Sequence, residues 1–251
     1  MNRSARAALI AAAALAVAGC LPAAASAEAR KVAALYTGFV AVAAVVGIIV
    51  FGGTSWSVLR YRRRRDEPPG MLPPQTHGSL RLESTWTAIP IITVLVLFGA
   101  TLLVLNRVEA TADKPGAVIR VEGFRWGWTF QYPDLGITVS GIGSPGPEIV
   151  VPAGEPVRVT VTSADVVHSF YVPQFLFKRD AVPGRESSFD FTADAGTYRG
   201  QCAEFCGIYH SRMPFTVRAV SRTDYDAWVA SQPKSSPAAP SPASSSPAAS
   251  G

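Results

Sequence analysis

The sequence predicts a two-helix membrane hairpin followed by an all-β extracytoplasmic domain, a sandwich or barrel. Three observations carry this. Two apolar runs, within 32–56 and 85–106, are each long enough to cross a ~30 Å hydrocarbon core as a helix. A block of basic residues (Arg60, Arg62, Arg63, Arg64 and Arg65) lies between them. From residue 108 onward the chain changes to short runs rich in Val, Thr, Phe and Tyr, broken by Gly, Pro and Asp.

The N-terminus reads as a secretory leader within residues 1–27. Arg3 and Arg6 supply its positive end, and Ala7 to Ala18 its apolar stretch. Two cleavage signals follow. Val17-Ala18-Gly19-Cys20 resembles a bacterial lipobox, in which Cys20 is lipidated and becomes the first mature residue. Ala25-Ser26-Ala27 fits an ordinary signal peptidase. The lipobox is the preferred reading.

The 32–56 and 85–106 segments are then transmembrane helices, with a loop at 57–84. Basic residues stay on the cytoplasmic side, so the arginine block puts that loop in the cytoplasm. The mature N-terminus and everything after Arg107 lie outside. The chain is thus multi-pass in a bacterial plasma membrane. Hydrophobic residues make up 48% of it, and its formal charge is +5. Residues 107–220 carry 11 basic and 12 acidic side chains, a net of −1. No basic stripe marks this region, which excludes a nucleic-acid role.

Strands are expected at Val118–Val121, Trp128–Tyr132, Val157–Thr162 and Ser188–Thr192. The third alternates Val with Arg or Thr, the pattern of a half-buried strand. Residues 108–220 form the β domain, and 221–232 an extension with one or two helical turns over Asp224–Ser231. The 233–251 tail, of Pro, Ala, Ser, Gly and one Lys, cannot bury a core and is expected to be disordered.

The chemistry concentrates in Cys202-Ala203-Glu204-Phe205-Cys206-Gly207-Ile208-Tyr209-His210-Ser211-Arg212-Met213. The chain has only three Cys, three His and three Met, and two Cys, one His and one Met sit in these twelve residues. A second His, His168, lies upstream. Thiolate, imidazole and thioether are ligands that copper prefers. Three residues separate Cys202 from Cys206 and three separate Cys206 from His210, so one loop between strands can aim all three at a point. Gly207 relieves crowding beside Cys206. His168 on a different strand lets the fold set the distance across the site. A Cys202–Cys206 disulfide, a zinc site and a mononuclear copper site compete with this reading. Two thiolates, two His and one Met best suit two copper ions sharing bridging sulfurs.

The sequence resembles subunit II of the haem–copper cytochrome c oxidases over residues 30–220. His168-Ser169-Phe170-Tyr171-Val172-Pro173, Lys178-Arg179-Asp180-Ala181-Val182-Pro183-Gly184-Arg185 and the cysteine loop carry the resemblance. It implies a cupredoxin-like Greek-key fold and a dinuclear copper centre. By that resemblance Cys202 and Cys206 bridge both ions, and His168 and His210 each terminate one. Met213 and the backbone carbonyl of Glu204 are weak ligands. The Glu204 carboxylate reaches a magnesium ion at the boundary with subunit I. Gly123-Phe124-Arg125-Trp126-Gly127-Trp128 resembles the family's aromatic segment, with Gly127 where Tyr is common. That match makes Trp126 the point where electrons arrive from cytochrome c. Glu83 stands where the family marks the cytoplasmic mouth of a proton channel; a helix-start acid has the same position for dipole reasons alone. Trp126 and Trp128, at alternate positions, are expected to share one strand face.

The function this implies is the oxidase's electron-receiving subunit. It would take electrons from cytochrome c, soluble or membrane-tethered, for haem in subunit I and oxygen reduction, with no oxidase activity alone. The partners are subunit I, the other oxidase subunits, a cytochrome c and membrane lipid. Asp134, Asp165, Asp180 and Glu186 are candidate docking acids, with Lys178, Arg179 and Arg185 among them. A membrane-tethered copper-delivery protein and a structural, disulfide-bonded sandwich are the alternatives.

Overall fold

A computed structural model of the chain describes residues 21–62 and 77–233, with Gly70 and Gln75 between. The expected leader through Cys20 and the tail from residue 234 lie outside the described residues. The chain divides into two compact units, one holding Arg30–Val108 and the other Pro22–Ala29 with the chain from Glu109.

The first unit holds α2 (Leu80–Val108) and, from Arg30 on, α1 (Ala27–Tyr61). Both are longer than the expected spans because each helix continues past its apolar stretch into polar residues. Both are apolar enough to cross a membrane, and in each the most apolar stretch is wholly unburied by protein. That surface suits lipid, where a helix satisfies every backbone group internally. Pro90 lies inside α2. Near one end of the pair, Lys31 Nζ donates to the Arg107 carbonyl at 3.2 Å.

The second unit is a sandwich of two five-stranded mixed sheets. One has the order β3 (Ile137–Ile142), β2 (Gly127–Tyr132), β1 (Ala117–Phe124), β5 (Val157–Ser163), β8 (Ser187–Phe191). The other runs β4 (Glu148–Pro152), β10 (Pro214–Val220), β9 (Gly196–Cys202), β6 (His168–Val172), β7 (Phe177–Ala181). Each sheet has one parallel pair, β1 with β5 and β4 with β10. The chain crosses from one sheet to the other between β3 and β4, β4 and β5, β5 and β6, β7 and β8, and β8 and β9, as in a Greek key.

The period of two explains which face is buried. Along β1, Ala117, Ile119, Val121 and Gly123 turn inward while Val118, Arg120, Glu122 and Phe124 alternate with them. Trp128, Phe130 and Tyr132 do the same on β2. Facing them are Phe170 of β6 and Phe215 of β10, whose rings stack at 4.7 Å. Trp128 meets Phe215 edge-on at 5.5 Å. On the outer face Arg158 forks onto Asp190, its cross-strand partner, through two bonds of 2.9 Å.

The C-terminal extension is a fuller helix than expected, α3 (Arg222–Ser231). Ser221 caps it, accepting from the Asp224 amide at 3.2 Å. It is held because Trp228 packs 5.3 Å from Tyr132, whose hydroxyl bonds both backbone groups of Val150. The segment Pro22–Ala29 also belongs to this unit.

Phe215 sits at the centre of this aromatic cluster with no exposed surface. Phe215→Ala should cost about 3–5 kcal/mol. Thermal unfolding of the full chain in detergent should show a clearly lower midpoint, largely recovered in Phe215→Leu.

Candidate metal centre

The sandwich brings the ligand candidates together from three places. Register puts Phe170 of β6 opposite Cys202, the last residue of β9. His168 is two residues before Phe170 on the same strand, so it shares the face that Cys202 occupies. After Cys202 the chain loops through Cys206 and a short 3₁₀ turn (His210–Arg212) before re-entering the sheet at Pro214. The loop thus supplies the other ligands, and the β6 strand supplies the one that crosses to it.

The donor atoms converge. Cys202 Sγ lies 4.0 Å from Cys206 Sγ and 3.8 Å from His168 Nδ1. Cys206 Sγ lies 3.6 Å from His210 Nδ1 and 3.3 Å from Met213 Sδ. The Glu204 carbonyl accepts from the Cys202 thiol at 3.3 Å. Each sulfur therefore has its own imidazole and its own weak donor, and the two halves meet at the sulfur pair. The two thiols are unbonded, with their sulfurs 4.0 Å apart. His168, Cys202 and Cys206 form a buried trio whose ligand atoms all lie within 4.8 Å of one another.

Electrostatics favour a cation here. Burial pushes both thiols toward the neutral form. At Cys202 the hydrogen bond with His168 and the backbone around it outweigh burial, and its acidity rises. At Cys206 burial and the neighbouring Cys202 charge act together and hold its proton on. Two thiolates 4.0 Å apart would repel by about 4 kcal/mol at an effective dielectric constant near 20. A metal between them removes that penalty.

One contributor was invisible as such in the sequence. Asp165 stands three residues before His168, and its Oδ1 bonds His168 Nε2 at 2.9 Å. That contact leaves Nδ1 to face the sulfurs. Asp165 is itself held by the backbone amide and guanidinium of Arg125, at 2.9 and 3.1 Å. Although burial acts the other way, His168 and these donors keep its carboxyl well below the usual range. Such an outer partner orients a ligand and raises its basicity. The Asp–x–x–His spacing was the available signal.

Two indoles clasp the loop. Trp128 Nε1 donates to the Met213 carbonyl at 3.1 Å, and Trp126 Nε1 to the Cys206 carbonyl at 3.3 Å. The two rings do not share a strand face as expected. Trp126 lies in the turn between β1 and β2, half-buried and edge-on to Tyr209 at 4.8 Å, whereas Trp128 is in the core. A tight hairpin breaks the alternation between them. Gly207 has φ of 122°, and a Cβ there would meet the Trp126 ring at 3.3 Å. Its role is therefore backbone conformation and room for Trp126, beyond the crowding at Cys206.

The remaining candidates lie apart from the cluster or at its edge. The exposed Glu204 carboxylate pairs with Lys178 at 3.2 Å. Three of the four candidate docking acids are matched by bases: Asp165 with Arg125, Asp180 with Lys178, and Glu186 with Arg120. Glu83 is exposed in the first turn of α2. Cys20 lies outside the described residues.

A sandwich domain with a sulfur–imidazole cluster, joined to two membrane-length helices, defines a membrane-anchored metal protein of the cupredoxin type. The chain belongs to the cytochrome c oxidase subunit II family. Residues 145–220 match that family's periplasmic domain and residues 14–104 its transmembrane domain. The chain is 33% identical to the probable cytochrome c oxidase subunit 2 of Streptomyces coelicolor, across 79% of this chain and 74% of that one. It is 36% identical to cytochrome c oxidase subunit 2 of Cereibacter sphaeroides, across 69% and 67%. The periplasmic domain of subunit II of cytochrome oxidase of Bradyrhizobium japonicum is 36% identical, with a TM-score of 0.46, over 49% of this chain and 96% of that one. The family implies copper, and the donor set fits it.

If Asp165 orients His168, Asp165→Asn should weaken copper binding by about 10–100-fold. Competition against a copper chelator would measure this. Asp165→Glu should lose less.

Proposed function

We propose that this chain receives electrons from a reduced cytochrome c on the outer face of a bacterial plasma membrane. It passes them to haem in subunit I, where oxygen is reduced to water. The observation that carries this reading is the convergence of two thiols, two imidazoles and a thioether on a rigid sandwich. Family membership supports the electron-transfer role over delivery.

The residues would act as follows. Cys202, Cys206, His168 and His210 would hold the copper. Met213 and the Glu204 carbonyl are the weak donors. Once bound, the copper pair supplies a one-electron acceptor whose charge is shared across both sulfurs. Asp165 fixes the His168 ring, and Trp128 and Trp126 hold the loop carbonyls, so the donors need not move when charge changes. Trp126 is the arrival point for electrons. Its half-exposed ring bonds the Cys206 backbone directly, which supports a short path into the cluster.

Glu204 has two roles in this reading. Its carbonyl would be a weak copper donor, and its carboxylate, which pairs with Lys178, would hold a magnesium ion at the boundary with subunit I. Glu83 marks the cytoplasmic mouth of a proton channel in subunit I. The basic loop at 57–84 sets that side of the membrane, with the copper domain opposite. The paired acids around the site leave little free charge for long-range steering, which favours a donor that is itself membrane-tethered. A tethered donor predicts turnover that falls only shallowly as salt rises.

Metal analysis of the purified full chain tests the centre. Two coppers per chain with a seven-line EPR pattern are expected. One labile Cu(I) would identify a delivery protein instead. In the assembled oxidase, Trp126→Ala should slow electron arrival from cytochrome c while copper content stays at wild-type level. Unchanged arrival kinetics would remove Trp126 from the path. Glu83→Ala should lower turnover and proton pumping; wild-type values for both would leave Glu83 as a helix-start charge only.

A further inference from the structure

Trp126 and its neighbours line a pocket of about 310 Å³ whose walls are Arg125, Trp126, Ile142, Gly143, Tyr209 and Arg212. The sheet builds one side of it. Register sets Ile142, the last residue of β3, opposite Gly127, so it lies beside the β1–β2 turn that carries Arg125 and Trp126. Gly127 has no side chain to displace it; a Cβ there would meet Ile142 Cγ2 at 2.6 Å. The ligand loop supplies the other side, with Tyr209 edge-on to Trp126 at 4.8 Å. Arg212 lies over the Tyr209 ring, 5.5 Å from its centre.

Two properties of this face point to a partner. The first is apolar exposure. Among the described residues of the β domain, the exposed large apolar side chains are Ile142, Val167, Phe205, Ile208 and Tyr209, with Ile142 and Ile208 at 70% and 79%. Three come from the ligand loop, Val167 precedes His168, and Ile142 lines the pocket, so all five lie at the metal end of the sandwich. Exposed apolar surface gathered in this way marks an interaction site. The second property is charge. None of the lining residues is acidic, and two are arginines. Arg125 touches Asp165 through Nε and keeps 50% of its side chain exposed. Arg212 is exposed, and its side chain meets the Tyr209 ring rather than a carboxylate.

We infer that this face takes an electron-donor protein whose contact surface is apolar and acidic, with carboxylates set to meet Arg125 and Arg212. The inference rests on the electron-receiving reading above and adds to it the charge sense of the donor. A donor seated here covers Trp126, whose indole bonds the Cys206 carbonyl, so the seat and the proposed route to the metal coincide. Covering a guanidinium without an anion strands a charge out of water, so a partner lacking carboxylates is penalised at both arginines. A two-fold contact with a second copy of this chain would bring arginine to arginine and is disfavoured on the same ground. Asp134, Asp165, Asp180 and Glu186 do not line the pocket, and Asp165 turns its carboxylate to Arg125 and His168. Trp, Tyr and Arg are the side chains that most often dominate binding energy at such contacts. Two arginines act at contact range: they select a partner and add little long-range pull.

The test uses the assembled oxidase and two soluble c-type cytochromes of similar potential, one of net negative and one of net positive charge. Wild-type oxidase should show the lower KM for the acidic cytochrome; the reverse order overturns the inference. Arg212→Glu should raise KM for the acidic cytochrome about tenfold and lower it for the basic one. Opposite shifts in one variant cannot come from a damaged fold. Ile142→Ser should raise both. In Arg212→Glu, an unchanged KM for the acidic cytochrome, or a shift in the same direction for both, overturns the inference. So does lost binding to phosphatidylglycerol vesicles with both KM values unmoved, which would assign the face to lipid. These outcomes leave the electron-receiving reading standing. That reading fails separately, if neither cytochrome reduces the copper of the wild-type oxidase.

Discussion

Two buried sulfurs 4.0 Å apart set the terms for the rest of this protein. Neither burial nor proximity favours two negative charges there, so the pair keeps a proton until a cation replaces it. A site that depends on a metal in this way must not collapse without it. The surroundings answer that need. Each sulfur is flanked by an imidazole, and the loop between them is tied at Cys206 and Met213 by indole N–H groups from outside the loop. Beneath the loop lie the buried rings of Trp128, Phe170 and Phe215, in contact with one another. Rigidity here is a property of the fold, with the ligands added to its edge.

The same logic reaches outward from the metal-facing atoms. Arg125 holds Asp165, Asp165 holds His168, and His168 faces Cys202. Next along the chain from Arg125 is Trp126, which holds the other half of the loop. One hairpin turn thus touches both halves of the cluster. A partner that pressed on this turn would meet the ring proposed to receive electrons and the chain of bonds that aims a ligand.

The ligand types and most of the architecture were legible in the sequence because they depend on composition and short-range pattern. Rare Cys, His and Met in one loop are conspicuous, and charge-free runs stand out at any scale. The alternation of Val157 to Thr162 announced a strand. What lay hidden depends on register. That Trp126 and Trp128 part company follows from a two-residue turn, which spacing alone does not reveal. Asp165 looked like one more surface acid until β6 was seen to begin at His168. The pairing of Ser26 with Ala193 was hidden as well, since alanine-rich sequence looks alike in a signal and in a close-packed strand. Helix α3 was underestimated because its stability comes from Trp228 against Tyr132, a contact ninety-six positions apart.

The β6–β9 ladder has a further consequence for assembly. Only two residue pairs, Phe170 with Cys202 and Tyr171 with Gln201, join these strands. The β9–β10 hairpin is local in sequence and can form early, and it already presents two sulfurs, His210 and Met213. The last imidazole arrives only when β6 docks against β9. A metal captured before that moment rests on an incomplete set and can still exchange. A bound metal would therefore gain its full donor set only once β6 is in place, so tight binding would report a finished sandwich.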